Sequence, residues 1–234
     1  MSPETCLLSD LAEIIVGFPF KSEDYNTDGK GVKLVRGVNV TTGFFRWGAD
    51  SRWWSDLTSG LSPYYLKKDD IIIGMDGSRV GKNYVMVQDC ELPLLLVQRV
   101  ACIRAKEGID QNYLWSCICS SKFEAYVDLI KTGTTIPHIS AKQIGDYPIP
   151  LVSKSIQSVI GYFSKIINSK IQVIQVINDN LTRECQLILN YYISTNQTHS
   201  STIGDHAVII DCLHSKKPEL QESGKRFIQL DNIR

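Results

Sequence analysis

The chain opens the same passage twice, and this repeat limits its fold more than any other feature. Ser9-Asp10-Leu11-Ala12-Glu13-Ile14-Ile15 is followed by a polar loop and then by Leu34-Val35-Arg36-Gly37-Val38-Asn39-Val40. Gly204-Asp205-His206-Ala207-Val208-Ile209-Ile210 is followed by a polar loop and then by Phe227-Ile228-Gln229-Leu230-Asp231-Asn232-Ile233. The first halves are offset by 195 residues and the second by 193, so the second loop is two residues shorter. A repeat at this spacing implies one full module, a connector and the start of a second module.

The connector carries its own periodicity. Ile160, Ile167, Ile174, Leu181 and Ile188 recur every seven residues, flanked by Val159, Ile166, Val173 and Leu187, with Asn180 as the interruption. No Pro or Gly lies between Tyr162 and Tyr192. A strict seven-residue repeat predicts a long helix with a partner helix along it, whereas a core helix inside one domain would not need such strictness. About 40 residues at ~1.5 Å each reach roughly 60 Å. Ser194 to Ser201 is polar and reads as a linker.

The first module reads as short strands and loops over residues 1–109. Leu34-Val35, Ile71–Ile73, Val85–Val87 and Leu94–Ile103 are β-rich and bounded by Gly, Asp and Asn turn signals. Asp110 to Lys131 predicts one helix, with Asp110 as N-cap, Leu114, Ile118, Ala125 and Leu129 on its apolar side, and Gly133 beyond its end. Ser140-Ala141-Lys142-Gln143 has the form of a capping box and predicts a short helix. The two prolines of Tyr147-Pro148-Ile149-Pro150-Leu151 force an extended segment.

With 234 residues and 43% hydrophobic content, the chain can bury a sizeable core. No apolar run is long enough to span a membrane, and Met1 to Asp10 lacks the pattern of a signal peptide. Seven scattered Cys with no CxxC pair read as reduced cytosolic thiols, with too few clustered ligands for zinc. The formal net charge is +0, yet Lys30 to Lys106 holds twelve Lys+Arg against seven Asp+Glu. That local excess suits a phosphate-facing surface and equally a solvated face of mixed charge.

Catalytic patterns are missing. Gly74–Asn83 (GMDGSRVGKN) resembles a phosphate-binding loop but has Asp76 where the first Gly belongs and Asn83 where Mg²⁺ needs a hydroxyl. Asp28-Gly29-Lys30 has part of a nuclease pattern, but a turn is its better reading. Ser62-Pro63-Tyr64-Tyr65 is not the Asn-Pro-Pro-Tyr of amino-methylating enzymes, and there is no G-x-S-x-G elbow. His138, after Pro137 in a polar loop, either hydrogen-bonds locally or touches a ligand.

Both repeat openings, the phrase Leu66–Lys82 (LKKDDIIIGMDGSRVGK), Gly133–Ser140 (GTTIPHIS) and Tyr147–Leu151 (YPIPL) occur in the order typical of one family. Together with the long helix, they resemble the specificity subunit of type I restriction–modification systems across essentially the whole chain. The resemblance implies a cytoplasmic bacterial or archaeal protein with no activity of its own. Such a protein reads double-stranded DNA and docks methyltransferase subunits, which the restriction (motor-nuclease) subunits then join. It implies no cofactor in this chain, with S-adenosylmethionine, ATP and Mg²⁺ on the partner subunits.

A usual member has two recognition domains and two long helices, whereas this chain has one of each and resembles a half-size form. The expected fold is α+β. A mixed, largely antiparallel, β-rich target-recognition domain with a few helices spans 1–152. One long coiled-coil spacer and dimerisation helix spans 153–195. A linker and the start of a truncated second repeat span 196–234.

A duplex reader needs cations for phosphates and forked polar groups for base edges. The candidates are Arg36, Arg46, Arg52, Arg79, Lys82, Asn83, Lys131, Thr134, Thr135 and His138. The aromatics Phe44, Phe45, Trp47, Trp53 and Trp54 read better as core, and the Gly77–Lys82 phrase serves either turn shape or DNA contact. Asn39 recurs as Asn232, which favours a structural turn, since different targets would not need the same base contact. Ile160, Ile167, Ile174, Leu181 and Ile188 are the dimerisation candidates. The expected function is sequence-specific recognition of a bipartite target, an interrupted palindrome when two identical chains pair. The alternative is an assembly-only or decoy protein that dimerises or docks the methyltransferase without reading DNA.

Overall fold

The computed structural model describes residues 4–133, 136–196 and 201–208. They divide into two compact units, with the boundary between Thr182 and Arg183.

The first unit is built on β-structure that closes on itself. Strand β1 (Thr5–Leu7) pairs antiparallel with β9 (Pro148–Pro150), and the Leu151 N–H donates to the Glu4 carbonyl at 2.7 Å. The start of the described chain therefore lies beside the segment that precedes the long helix. A four-stranded antiparallel sheet has the order β2 (Ala12–Val16), β8 (Val100–Ala105), β5 (Ile71–Gly74), β6 (Tyr84–Met86). A three-stranded sheet joins β4 (Trp53–Trp54), β3 (Val32–Val35) and β7 (Leu94–Leu96), the β3–β7 pair being parallel.

Side-chain alternation explains the continuous apolar run at Ile71–Ile73. Ile71 and Ile73 pack with Ala101, Ile103, Tyr84 and Met86 on the helix-facing side of the four-stranded sheet. Ile72 packs with Cys102, Val100, Val85 and Val87 on the other side, against Leu94 and Leu96. With both faces covered, every position of β5 is buried. Burial also pushes the Tyr84 hydroxyl pKa up to about 12.

Leu94–Ile103 is two strands rather than one. A turn at Gln98–Arg99 carries the chain from the three-stranded to the four-stranded sheet. Asp110–Lys131 is likewise two helices, α2 (Gln111–Ile118) and α3 (Ser121–Ile130). The Ser120 side chain accepts the Phe123 N–H and restarts the helix in a new phase. The phase change buries Phe123 and Val127 and leaves Ala125 and Leu129 exposed, contrary to the single-helix expectation. Strands β1, β2 and β4 and helix α1 (Leu8–Leu11) are too short to give a sequence period. The capping box at Ser140 and Gln143 opens α4 (Ala141–Gly145), as expected.

Helix α5 (Lys154–Thr195) runs for 42 residues. Its buried positions are Gln157, Gly161 and Asn168, a small and polar face. Gln157 accepts the Asp110 N–H at 3.2 Å and donates to the Val152 carbonyl at 3.0 Å. The Asp110 carboxylate caps α2 by accepting from Asn112 and Tyr113 N–H. Gly161 passes so close that an added Cβ would lie 2.5 Å from Asp110 Oδ1. At about 100° per residue, the apolar column lies roughly a third of a turn from this face. Ile160, Ile167, Ile174, Leu181 and Ile188 are accordingly 36–68% exposed.

The described part of the second repeat reproduces the first locally. The Leu7 N–H donates to Asp10 Oδ2 at 3.0 Å at the start of α1, which ends at an extended Ala12. The Thr202 N–H donates to Asp205 Oδ2 at 2.8 Å at the start of α6 (Ile203–His206), which ends at an extended Ala207. The rest of that repeat, Asn232 included, lies outside the described residues.

Replacing Gly161 with Leu is expected to displace the Asp110 cap and lower stability by about 1–3 kcal/mol. A Leu at the exposed Ser158 is expected to change it by less than about 0.5 kcal/mol. Chemical denaturation of the two variants makes the comparison.

Candidate nucleic-acid interface

The loop from β3 to β4 carries three of the candidate arginines, and its backbone holds each of them. The Arg36 guanidinium donates to the Asp50 carbonyl and sits 5.8 Å from the Tyr25 ring centre. Arg46 donates to the Val38 carbonyl at 3.0 Å, and Arg52 donates to the Ala49 and Ser51 carbonyls at 2.8 and 2.7 Å. Burial, and then the nearby Arg52 cation, lower the Arg36 pKa.

Asn39 anchors the same loop. Fully buried, it accepts the Arg36 N–H at 3.2 Å and donates to the Arg46 carbonyl at 3.1 Å. This is the structural turn its recurrence suggested. Phe45 is buried, and Trp54 packs on Phe20 and Tyr25, so these aromatics serve as core. The Lys33 ammonium lies 4.6 Å above Trp47, and Phe44 remains partly exposed.

The Gly-rich loop after β5 has two jobs. Gly81 has φ +76°, and a Cβ there would lie 2.5 Å from Val127, so this glycine lets the loop pack on α3. Around it, polar side chains point outward. Arg79 reaches Asn83 Oδ1 and Thr42 Oγ1, both at 3.4 Å. Lys82 and Lys131 flank Asp128 at 3.9 and 2.7 Å, and the Lys131 hydrogen bond holds the Asp128 carboxyl below its ordinary range.

An open cleft of about 400 Å³ gathers Arg36, Arg79 and Asn83 with Gln98 and Arg99. Asp76 is its lone carboxylate and takes a hydrogen bond from Arg99 Nη1 at 3.0 Å. On the far side of that pair lies a second hollow lined by Val16, Met75, Ile136, Ile139 and His138. His138 hydrogen-bonds locally, its Nε2 being 3.0 Å from Thr132 Oγ1, and its backbone pairs with Thr132 and Asp76. Thr134 and Thr135 lie outside the described residues.

Arg36, Arg79 and Asn83 thus share one site with His138 at its edge, while Lys82 and Lys131 sit together beside Asp128 and Arg46 and Arg52 stay in their loop. Sequence reasoning missed Asp76, Gln98 and Arg99. The signal was present in a Gln98-Arg99 turn between two apolar runs, where Gly or Asn is the usual occupant. With three arginines and one carboxylate in its lining, the cleft is a cationic concavity of the kind that meets polyanions. Among the described residues, no group of three His, Cys, Asp or Glu side chains is placed to hold a metal ion. Among the same residues, no helix is long and apolar enough to cross a membrane.

The sequence profile of the type I restriction modification DNA specificity domain matches residues 4–183. The chain belongs to this family. It is 29% identical over 179 residues to the type I restriction enzyme EcoAI specificity subunit of Escherichia coli, covering 75% of this chain and 29% of that protein. It is 28% identical over 159 residues to the EcoBI specificity subunit of the same organism, covering 65% of this chain and 30% of that protein. The chain therefore spans less than a third of the length of these two relatives.

The S subunit of a type I restriction–modification system from M. genitalium shares the fold, with a TM-score of 0.56 at 15% identity over 79% of this chain and 47% of that one. The α+β specificity-domain fold, with its antiparallel sheets and long helix, is common to both.

Asn39→Ala removes a buried side chain that satisfies two backbone groups of this specificity domain. It is expected to cost about 1–3 kcal/mol by denaturant titration.

Proposed function

We propose that this chain is a sequence-specific DNA-recognition subunit of a type I restriction–modification complex. Residues 1–152 read double-stranded DNA, 153–195 form the spacer and dimerisation helix, and 196–234 begin a second recognition repeat. The observation that carries the reading is the cleft where Arg36, Arg79 and Arg99 converge with Asn83 and Gln98 in a chain of this family. Guanidinium forks and carboxamides are the groups that hydrogen-bond phosphates and base edges. Lys82, Lys131, Arg46 and Arg52 supply charge around it. His138 lies beside Asp76 at its edge, and Thr134 and Thr135 are further candidates from the sequence.

The chain carries no chemistry of its own in this reading. Methyltransferase subunits dock on it and supply S-adenosylmethionine chemistry, and restriction subunits bring ATP and Mg²⁺. Two copies pair through Ile160, Ile167, Ile174, Leu181 and Ile188, whose exposure supports an intermolecular role. A two-fold pair of identical readers matches an interrupted palindrome, and a helix of roughly 60 Å sets the unread gap.

Glu at both Ile174 and Leu181 is expected to turn a dimer into a monomer in sedimentation at micromolar concentration, since each buried aliphatic contributes roughly 1.5–3 kcal/mol. A wild-type monomer, alone and with methyltransferase, contradicts the pairing. Duplex binding by the wild-type chain should weaken steeply as salt rises, in line with phosphate contacts. Methyltransferase capture without any duplex binding would instead favour an assembly-only or decoy protein.

A further inference from the structure

The Gln98–Arg99 turn has an unusual backbone for its residues. Arg99 has φ +65°, a left-handed conformation that favours Gly or Asn. The turn is pinned on both sides. The Gln98 N–H donates to the Phe18 carbonyl at 2.9 Å, and the Arg99 carbonyl accepts the Met75 N–H at 3.0 Å. Such outliers persist where surrounding structure enforces them, and they cluster at functional sites.

Among the described residues, the side chain has one partner. Arg99 is 71% exposed, yet Asp76, only 24% exposed, holds its Nη1 at 3.0 Å. Other arginines of the β-rich region bond different kinds of partner. Arg36, Arg46 and Arg52 bond loop carbonyls, and Arg104 makes a two-pronged pair with the buried Asp70 at 2.8 and 2.6 Å. Arg99 uses one N–H on Asp76, which leaves the rest of the fork facing solvent on the ridge between the polar cleft and the apolar hollow.

From this geometry we infer that Arg99 is a base-reading residue for guanine, and that Asp76 is its positioning residue; the inference rests on the DNA-reading proposal above. The adjacent carboxylate decides between phosphate and base. An acid hydrogen-bonded to the guanidinium repels a phosphate anion more strongly than a neutral base edge, and it restrains the direction of the fork. Guanine offers two acceptors, O6 and N7, at the spacing that a fixed fork meets. Lys has the charge without the fork.

The test is selection from a pool of duplexes with a random core, using the full chain at low salt. Wild type, Arg99→Ala, Arg99→Lys and Asp76→Asn are compared, and thermal melting confirms that each variant is folded. The wild type should enrich a motif containing a guanine. Both Arg99 variants should lose about ten- to a hundredfold of the preference at that guanine and keep the rest of the motif. Asp76→Asn should relax the same position and no other.

An unchanged motif in Arg99→Ala overturns the inference while leaving DNA reading intact. So does a uniform loss of affinity that Arg99→Lys restores, the signature of a phosphate contact. A wild-type chain that enriches no motif overturns the DNA-reading proposal as well.

Discussion

Asp110 fixes how the long helix meets the β-rich body. Its carboxylate caps α2, its N–H donates to Gln157 of α5, and Gly161 of α5 lies against its side chain. Gln157, Gly161 and Asn168 can face inward because these contacts are small, polar and satisfied. The consequence appears about a third of a turn around the helix. A helix whose inner face is polar must carry its aliphatic residues outward, and the column Ile160–Ile188 is left in solvent within the single chain. An exposed apolar stripe of that length is costly in water, so the geometry that docks the helix leaves a surface suited to the proposed partner helix.

The proposed reading surface depends on the same economy of backbone contacts. Turns rather than regular elements place the cleft residues, and backbone hydrogen bonds or close packing fix each turn. Asn39 organises the loop that carries Arg36 and Arg46, Gly81 lets the Arg79 loop settle on α3, and the pinned Gln98–Arg99 turn joins two sheets. The body beneath is rigid because both faces of β5 are covered. Loops on such a scaffold can vary in side chain while keeping their positions.

Long-range patterns were the legible part of the sequence. The seven-residue repeat gave α5 almost to its ends, and the Ser140 capping box and the two prolines gave α4 and β9. The recurrence of Asn39 identified a turn. Short elements escaped because three- to five-residue strands carry too few periods, and the Asp110–Lys131 helix broke where one serine cap reset the phase. Among the site residues, Arg36, Arg79 and Asn83 were recognisable by side-chain chemistry. Asp76 and Arg99 were not, because their pairing depends on the antiparallel β5–β8 register, with Gly74 opposite Val100, which brings residues 23 apart to 3.0 Å. Arg46 and Arg52 illustrate the converse, since nothing in a sequence tells an arginine that holds its own loop from one that faces solvent.

The outward stripe and the polar cleft together support the proposal that two copies of this chain form a symmetric reader with a fixed gap. Sequencing the methylome of cells that express this chain with its cognate methyltransferase subunit tests that claim most directly. The account predicts methylation within an interrupted palindrome, two identical half-sites in opposite orientation separated by a constant number of unread base pairs. A methylated target with two unrelated halves would contradict the symmetric pair.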